Sequence, residues 1–170
     1  MKTKFVNNFS FVFYKCSSLS DIKSLEKWDV SNGNNFRAMF YGCSLLSEIS
    51  SLEKWNVSNG NNFSGMFSCC SLLSDISPLE KWNVLNGNNF TGMFYGCKSL
   101  SNIKPLEKWN VSNCNDFRGM FYGCSFQDFN EIEKWNISNK QFFEDMLYDK
   151  MLKSESFLAK LNKKKLNNNK

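Results

Sequence analysis

A chain of 170 residues with 17 Phe, 7 Met and 5 Trp holds ample apolar material for a packed core, and its polar positions are filled by Asn, Ser and Lys. Its longest apolar runs are only a few residues, far short of the roughly 20 a bilayer-crossing helix needs, which excludes a transmembrane helix. The net charge of +5 is local: residues 1–150 carry 15 Lys+Arg against 15 Asp+Glu, whereas residues 151–170 carry 6 Lys against Glu155 alone, so polyanion binding is a question about the tail.

The tripeptide Glu-Lys-Trp occurs five times, with tryptophans at Trp28, Trp55, Trp82, Trp109 and Trp135; the first four are 27 residues apart and the last gap is 26. Self-similarity at such a period is the signature of a solenoid, in which each coil buries its apolar face on its neighbours. The amino end is in register with this period. Asn7-Asn8-Phe9 precedes Asn34-Asn35-Phe36 by 27 residues, and Phe13 and Cys16 precede Phe40 and Cys43 by the same interval. Residues 1–27 therefore read as a degenerate first repeat and not as a signal peptide, with Met1 in the place of Trp and a strand that is weak or missing.

The coil from Trp55 to Lys81 gives the pattern that recurs over residues 28–147. Trp55-Asn56-Val57 alternates apolar and polar, as a short half-buried strand does, and stacked coils would pair such strands in parallel. Asn59-Gly60-Asn61-Asn62 reads as a turn. Phe63, Met66, Phe67 and Cys70 fall at i, i+3, i+4 and i+7, the spacing of a short helical turn, and Asn62 stands ready to accept its free amides, as do Asn35, Asn89 and Asp116. Gly42, Gly96 and Gly123 precede the recurring Cys and suit a left-handed ending; Cys69 replaces that glycine once, where strain or another turn is expected. Gly65, Gly92 and Gly119, with Ala38 at the matching place, would let adjacent coils approach closely. Leu73, Ile76, Leu79 and Trp82 recur every third residue, which suits an extended or tightly turned return path. The pattern predicts an α/β repeat solenoid with one short parallel strand and one short helical turn per repeat.

At the far end one residue is deleted between Cys124 and Trp135, and Lys150 stands where Cys belongs. Residues 148–162 read as a helical cap over the last coil, and 163–170 as a basic disordered tail.

Two strings, Phe40-Tyr-Gly-Cys43-Ser-Leu-Leu46-Ser-Glu-Ile49 and Leu52-Glu-Lys-Trp55-Asn-Val57-Ser58, have the forms FxxCxxLxxI and LxxWxVS. With the Met-Phe pair between them, they resemble the BspA-like leucine-rich repeats of microbial surface proteins, over residues 9 to about 147. The resemblance implies a leucine-rich-repeat-like right-handed coil, adhesion or other protein contact, a cell-surface or secreted location, and no catalysis. The sequence departs from the family at Gly33, Gly60 and Gly87, which stand for valine, and at Phe36, Phe63, Phe90 and Phe117, which stand for methionine. An amino end in register with the repeat leaves an intracellular location open.

Of the seven cysteines, Cys16, Cys43, Cys70, Cys97 and Cys124 recur every 27 residues on the inward face and read as core thiols; Cys114, at a turn, reads as the exposed one. Without His or a CxxC pair no metal site is expected, and no cofactor. The tryptophan ladder suggests a stacking platform but reads more simply as core. The candidate partner-binding face is the outward column of Lys27, Asp29, Lys54, Asn56, Lys81, Asn83, Lys108, Asn110, Lys134 and Asn136, with Glu26, Glu53, Glu80, Glu107 and Glu133 offsetting each lysine. Sequons at Asn8, Asn56, Asn62, Asn89, Asn110 and Asn136 arise from the repeat. No histidine is available to activate a nucleophile, and the carboxylates repeat along a face without converging. These readings point to a non-catalytic protein-interaction or adhesion module that meets another protein or a surface glycan. The alternative is a binder of nucleic acid or anionic membrane through Lys160, Lys163, Lys164, Lys165 and Lys170. A third reading takes the chain as a fragment of a longer array, because it begins inside a repeat.

Overall fold

The computed structural model describes residues 3–126 together with Glu131, Ile132, Trp135 and Met146. The expected cap and tail, and with them Lys134 and Asn136 of the candidate face, lie outside the described residues.

The described chain is a repeat solenoid. Parallel bridges join Asn8 to Asn35, Asn35 to Asn62, Asn62 to Asn89 and Asn89 to Asp116, one per coil and in register. From each bridge a ladder of backbone bonds runs to the next coil. Phe63, Gly65, Phe67 and Cys69 donate their N–H groups forward, to the carbonyls of Asn89, Thr91, Met93 and Tyr95 at 2.6–2.9 Å. The amides between them turn back: Met66 donates to Phe63, Ser68 to Gly65 and Cys70 to Phe67. Alternate amides thus build the stack and the local turns, and the backbone's obligatory partners are found without helix or strand.

This arrangement corrects the expected helical turn. An α-helix requires each amide to reach back four residues, whereas here every second amide is given forward and those between reach back only three. The cause is a left-handed residue at every fourth position of the segment: Phe11 and Lys15, Ala38 and Gly42, Gly65 and Cys69, Gly92 and Gly96, Gly119 and Gly123 all have φ between +52° and +76°. Gly65, Gly92 and Gly119 are accordingly small for conformation and not for close approach, since a side-chain carbon at any of them would meet nothing nearer than 3.6 Å. Cys69, at φ +61°, keeps the same turn as its glycine counterparts and bears the strain. The close approach lies elsewhere. A Cβ on Gly60 would sit 2.3 Å from Cζ of Phe63, whose ring lies across it, and Gly33 and Gly87 are covered in the same way by Phe36 and Phe90.

The expected strand is also absent among the described residues. At Trp55-Asn56-Val57 the backbone is spent locally: Trp55 N–H donates to the Leu52 carbonyl, and the Val57 carbonyl accepts from Gly60. The parallel pairing sits instead at Asn62. The return path is tightly turned, with 3-10 helices at Lys23–Lys27, Ser50–Leu52, Ser77–Leu79 and Lys104–Leu106. Three residues per turn is the period at which Ile49, Leu52 and Trp55 share a face.

The core is a set of columns. Phe9, Phe36, Phe63, Phe90 and Phe117 stack at 5.2–5.8 Å, and Phe13, Phe40, Phe67, Phe94 and Phe121 at 5.4–5.7 Å. Trp55, Trp82, Trp109 and Trp135 are buried against the first column, and each indole Nε1–H donates across the stack to a carbonyl, of Leu25, Leu52, Leu79 and Leu106 in turn. Each such burial contributes roughly 2–3 kcal/mol. Where one residue is deleted the columns still close: Phe121 N–H reaches the Met146 carbonyl, the counterpart of the Phe94 bond to Met120.

Candidate functional site

The predicted column is exposed and continuous over the described coils. Lys27 and Asp29, Lys54 and Asn56, Lys81 and Asn83, and Lys108 and Asn110 all face solvent. Its groups are largely occupied by the repeat itself. Lys54 pairs with Glu26 at 2.8 Å, Lys81 with Glu53 at 3.2 Å and Lys108 with Glu80 at 2.8 Å, so each lysine meets the glutamate of the coil before its own. The hydrogen bond and then the charge of Lys54 hold Glu26 below the usual carboxylate value, and Lys108 does the same for Glu80. Asp29, Asn56, Asn83 and Asn110 accept from the backbone N–H two residues on and brace their own turns. Asn59, Asn86 and Asn113 donate to the carbonyls of Ser31, Ser58 and Leu85 and tie neighbouring coils together.

The thiols are a correction in two places. Cys114 is buried, its sulfur 3.3 Å from the Asn88 carbonyl, and burial pushes it up to about 12. Its side chain occupies the place of Gly33, Gly60 and Gly87, and the Phe90–Phe117 step beside it is the widest of that column at 5.8 Å. Cys16, in the first coil, is exposed, whereas Cys43, Cys70, Cys97 and Cys124 are buried under their predecessors. All seven are free thiols.

A second surface escaped the sequence reading. Tyr14, Tyr41, Tyr95 and Tyr122 occupy one outward position of successive coils, and the third coil has Ser68 there. Tyr14 stacks on Tyr41 at 5.0 Å and Tyr95 on Tyr122 at 4.9 Å. Tyr41 and Tyr95 lean toward the following coil, so that Tyr41 covers Gly65 and Tyr95 covers Gly119, each with Cδ2 3.8 Å from the position a Cβ would take. Over Gly92 there is no such ring, since Ser68 has none to offer, and the only near atom is Cβ of Tyr95. The interruption opens a cleft of about 410 Å³ between the two tyrosine pairs, at the small end of ligand-sized cavities. Phe11, Arg37, Ser64 and Thr91 complete its rim, and none of its lining residues is acidic. Negative charge on the Cys69 sulfur would raise the Tyr41 hydroxyl above its ordinary value, with burial adding to the effect. Arg37 lies with its guanidinium carbon 5.5 Å over the Phe11 ring. The one legible trace of this site was a tyrosine column with a single gap.

No curated protein matches the chain significantly. Among solved structures, the chain has a weak likeness to internalin C2 of Listeria monocytogenes str. 4b F2365, 12% identical, with a TM-score of 0.29, covering 68% of this chain and 62% of that one. It thus spans less than two thirds of that structure's length. Among the described residues no helix is long and apolar enough to cross a membrane. The motifs resembled BspA-like repeats, and the family model that matches carries a different name: "Mycoplasma protein of unknown function, DUF285" matches residues 1–102 and 69–169. The chain belongs to that family.

Proposed function

We propose that this chain is a non-catalytic protein-interaction module that meets its partner through one long side of the solenoid. The observation that carries the reading is the tyrosine-walled cleft around Ser68: it exposes aromatic surface of Tyr14 and Tyr95, at 41% and 42%, that the repeat does not use for its own closure. Aromatic side chains of this kind supply much of the contact energy at protein interfaces. The lysine and asparagine column is the broader, secondary surface, since its charges are offset coil by coil.

The test is site-directed photo-crosslinking in cells of the source organism, with a photoreactive residue at position 95 and, separately, at position 56. Protein adducts through position 95 and few through position 56 are the expected result. Adducts only through position 56 would return the interface to the lysine face. Loss of all adducts on deletion of residues 160–170, with recovery of nucleic acid or lipid by the full chain, would favour the tail and end this reading.

A further inference from the structure

Resting on the interaction reading, we infer that the gap in the tyrosine column is a slot for a single aromatic side chain of the partner, flanked on the partner by a carboxylate. The column advances by one coil at 4.9–5.0 Å where it is intact. Tyr41 and Tyr95 are two steps apart, so the space between them is one ring deep, and the rings on either side are already held by stacking on Tyr14 and Tyr122. A ring entering over Gly92 would complete a five-membered column with offset stacking on both faces, the arrangement that aromatic quadrupoles favour. The slot is preorganised, because its walls are fixed by the coil ladder: Gly65 N–H donates to the Thr91 carbonyl and Gly92 N–H to the Arg118 carbonyl, at 2.8 and 2.9 Å.

The carboxylate follows from charge. Arg37 and Arg118 are equivalent residues in different coils. Arg118 donates to both carboxylate oxygens of Asp116, at 2.6–3.2 Å, and is neutralised there. In the coil of Arg37 the neutral Asn35 stands in the place of Asp116, and among the described residues Arg37 has no carboxylate partner. Arg37 rests over Phe11 at the first-coil end of a cleft without acidic lining, and its exposed side chain, swung from that ring toward Gly92, favours an anionic neighbour to the inserted ring, for which its fork geometry suits a carboxylate.

The experiment uses the isotopically labelled full chain titrated with N-acetyltyrosine, which carries one aromatic ring and one free carboxylate, followed by backbone amide shifts. Saturable shifts at Gly65, Thr91 and Gly92 are expected. The affinity should fall at least threefold when the probe is N-acetyltyrosinamide, and by a similar factor in Arg37→Ala. Ser68→Tyr, which installs the residue the other coils carry, should abolish the shifts while leaving the remaining spectrum in place. Equal binding by Ser68→Tyr, equal binding of N-acetylcyclohexylalanine, or tighter binding of methyl glucoside at the same amides would overturn the assignment, the last in favour of a glycan. Failure here with protein adducts still forming at position 95 removes the aromatic slot alone; slot binding without protein adducts removes the interaction reading.

Discussion

The thiol of Cys97 donates to the carbonyl oxygen of Phe67 at 3.1 Å, and this bond recurs from Cys70 to Phe40 and from Cys124 to Phe94. A cysteine in this position is therefore a coil-to-coil donor, and only its protonated form can serve.

That requirement sets an alkaline limit on the fold. Burial raises Cys43 from 9.0 to about 11 and pushes Cys70 and Cys97 higher still. Above the ordinary thiol value the unfolded chain releases these protons while the folded chain keeps them. The folded state then binds more protons, so stability falls as pH rises. Below pH 9.0 the contribution is complete, and the share of Cys43 stops declining near 11. The urea midpoint of the reduced protein should fall steadily from about pH 9 to 11, and the slope should flatten in Cys70→Ala/Cys97→Ala. A level midpoint over that range in the unmodified protein would contradict the thiol bonds.

Exposure orders the thiols by reactivity. Brief alkylation of the native, reduced protein should label Cys16 first and the half-buried Cys69 more slowly, and should spare Cys43, Cys70, Cys97 and Cys114 until denaturant is added. Peptide mapping by mass spectrometry reads the order. Early labelling of Cys114 would place its turn in solvent.

Two glycines separate conformation from space. Gly92→Ala has room but a φ of +59°, and should cost about 1 kcal/mol; Gly60→Ala has an ordinary φ but no room beneath Phe63, and should cost roughly 1–3 kcal/mol. The reverse changes, Ala38→Gly and Cys69→Gly, relieve left-handed residues and should gain about 0.5–1 kcal/mol after the extra entropy of the unfolded glycine. Chemical denaturation of the four variants gives the signs.

Trp82→Phe removes the indole N–H and leaves the Leu52 carbonyl with the Trp55 N–H as its remaining donor, in addition to the volume lost beside Phe63. A loss of about 1–3 kcal/mol is expected. Trp28→Phe, at a half-buried position at the start of the second coil, should cost clearly less. Matching losses would mean that the Nε1 bonds carry no weight.

Periodicity made the inward columns legible, since Trp55, Val57, Phe63, Met66, Phe67, Cys70, Leu73, Ile76 and Leu79 are all buried. It misled on local conformation. Phe63, Met66, Phe67 and Cys70 have helical spacing, yet two left-handed residues four apart forbid the helix while keeping the same side chains on one side. The glycines at 92 and 96, and at 119 and 123, carried that information, but Cys69 and Ala38 blurred it. The cleft was harder to see because it is the absence of a ring in one coil. A column of tyrosines makes sense of Ser68 only once the rings are known to lean toward the next coil.

Forward donation by alternate amides has a consequence for length. Each coil offers its successor the same groups it takes from its predecessor, so a whole 27-residue unit can be copied or excised without orphaning a backbone group, lengthening or shortening the rod by about 5 Å. The single residue deleted between Cys124 and Trp135 leaves the forward bond from Phe121 to Met146 in place. The spacing between any two surface features is thereby quantised, and unequal recombination within the gene would move binding sites apart in whole steps while leaving each of them intact.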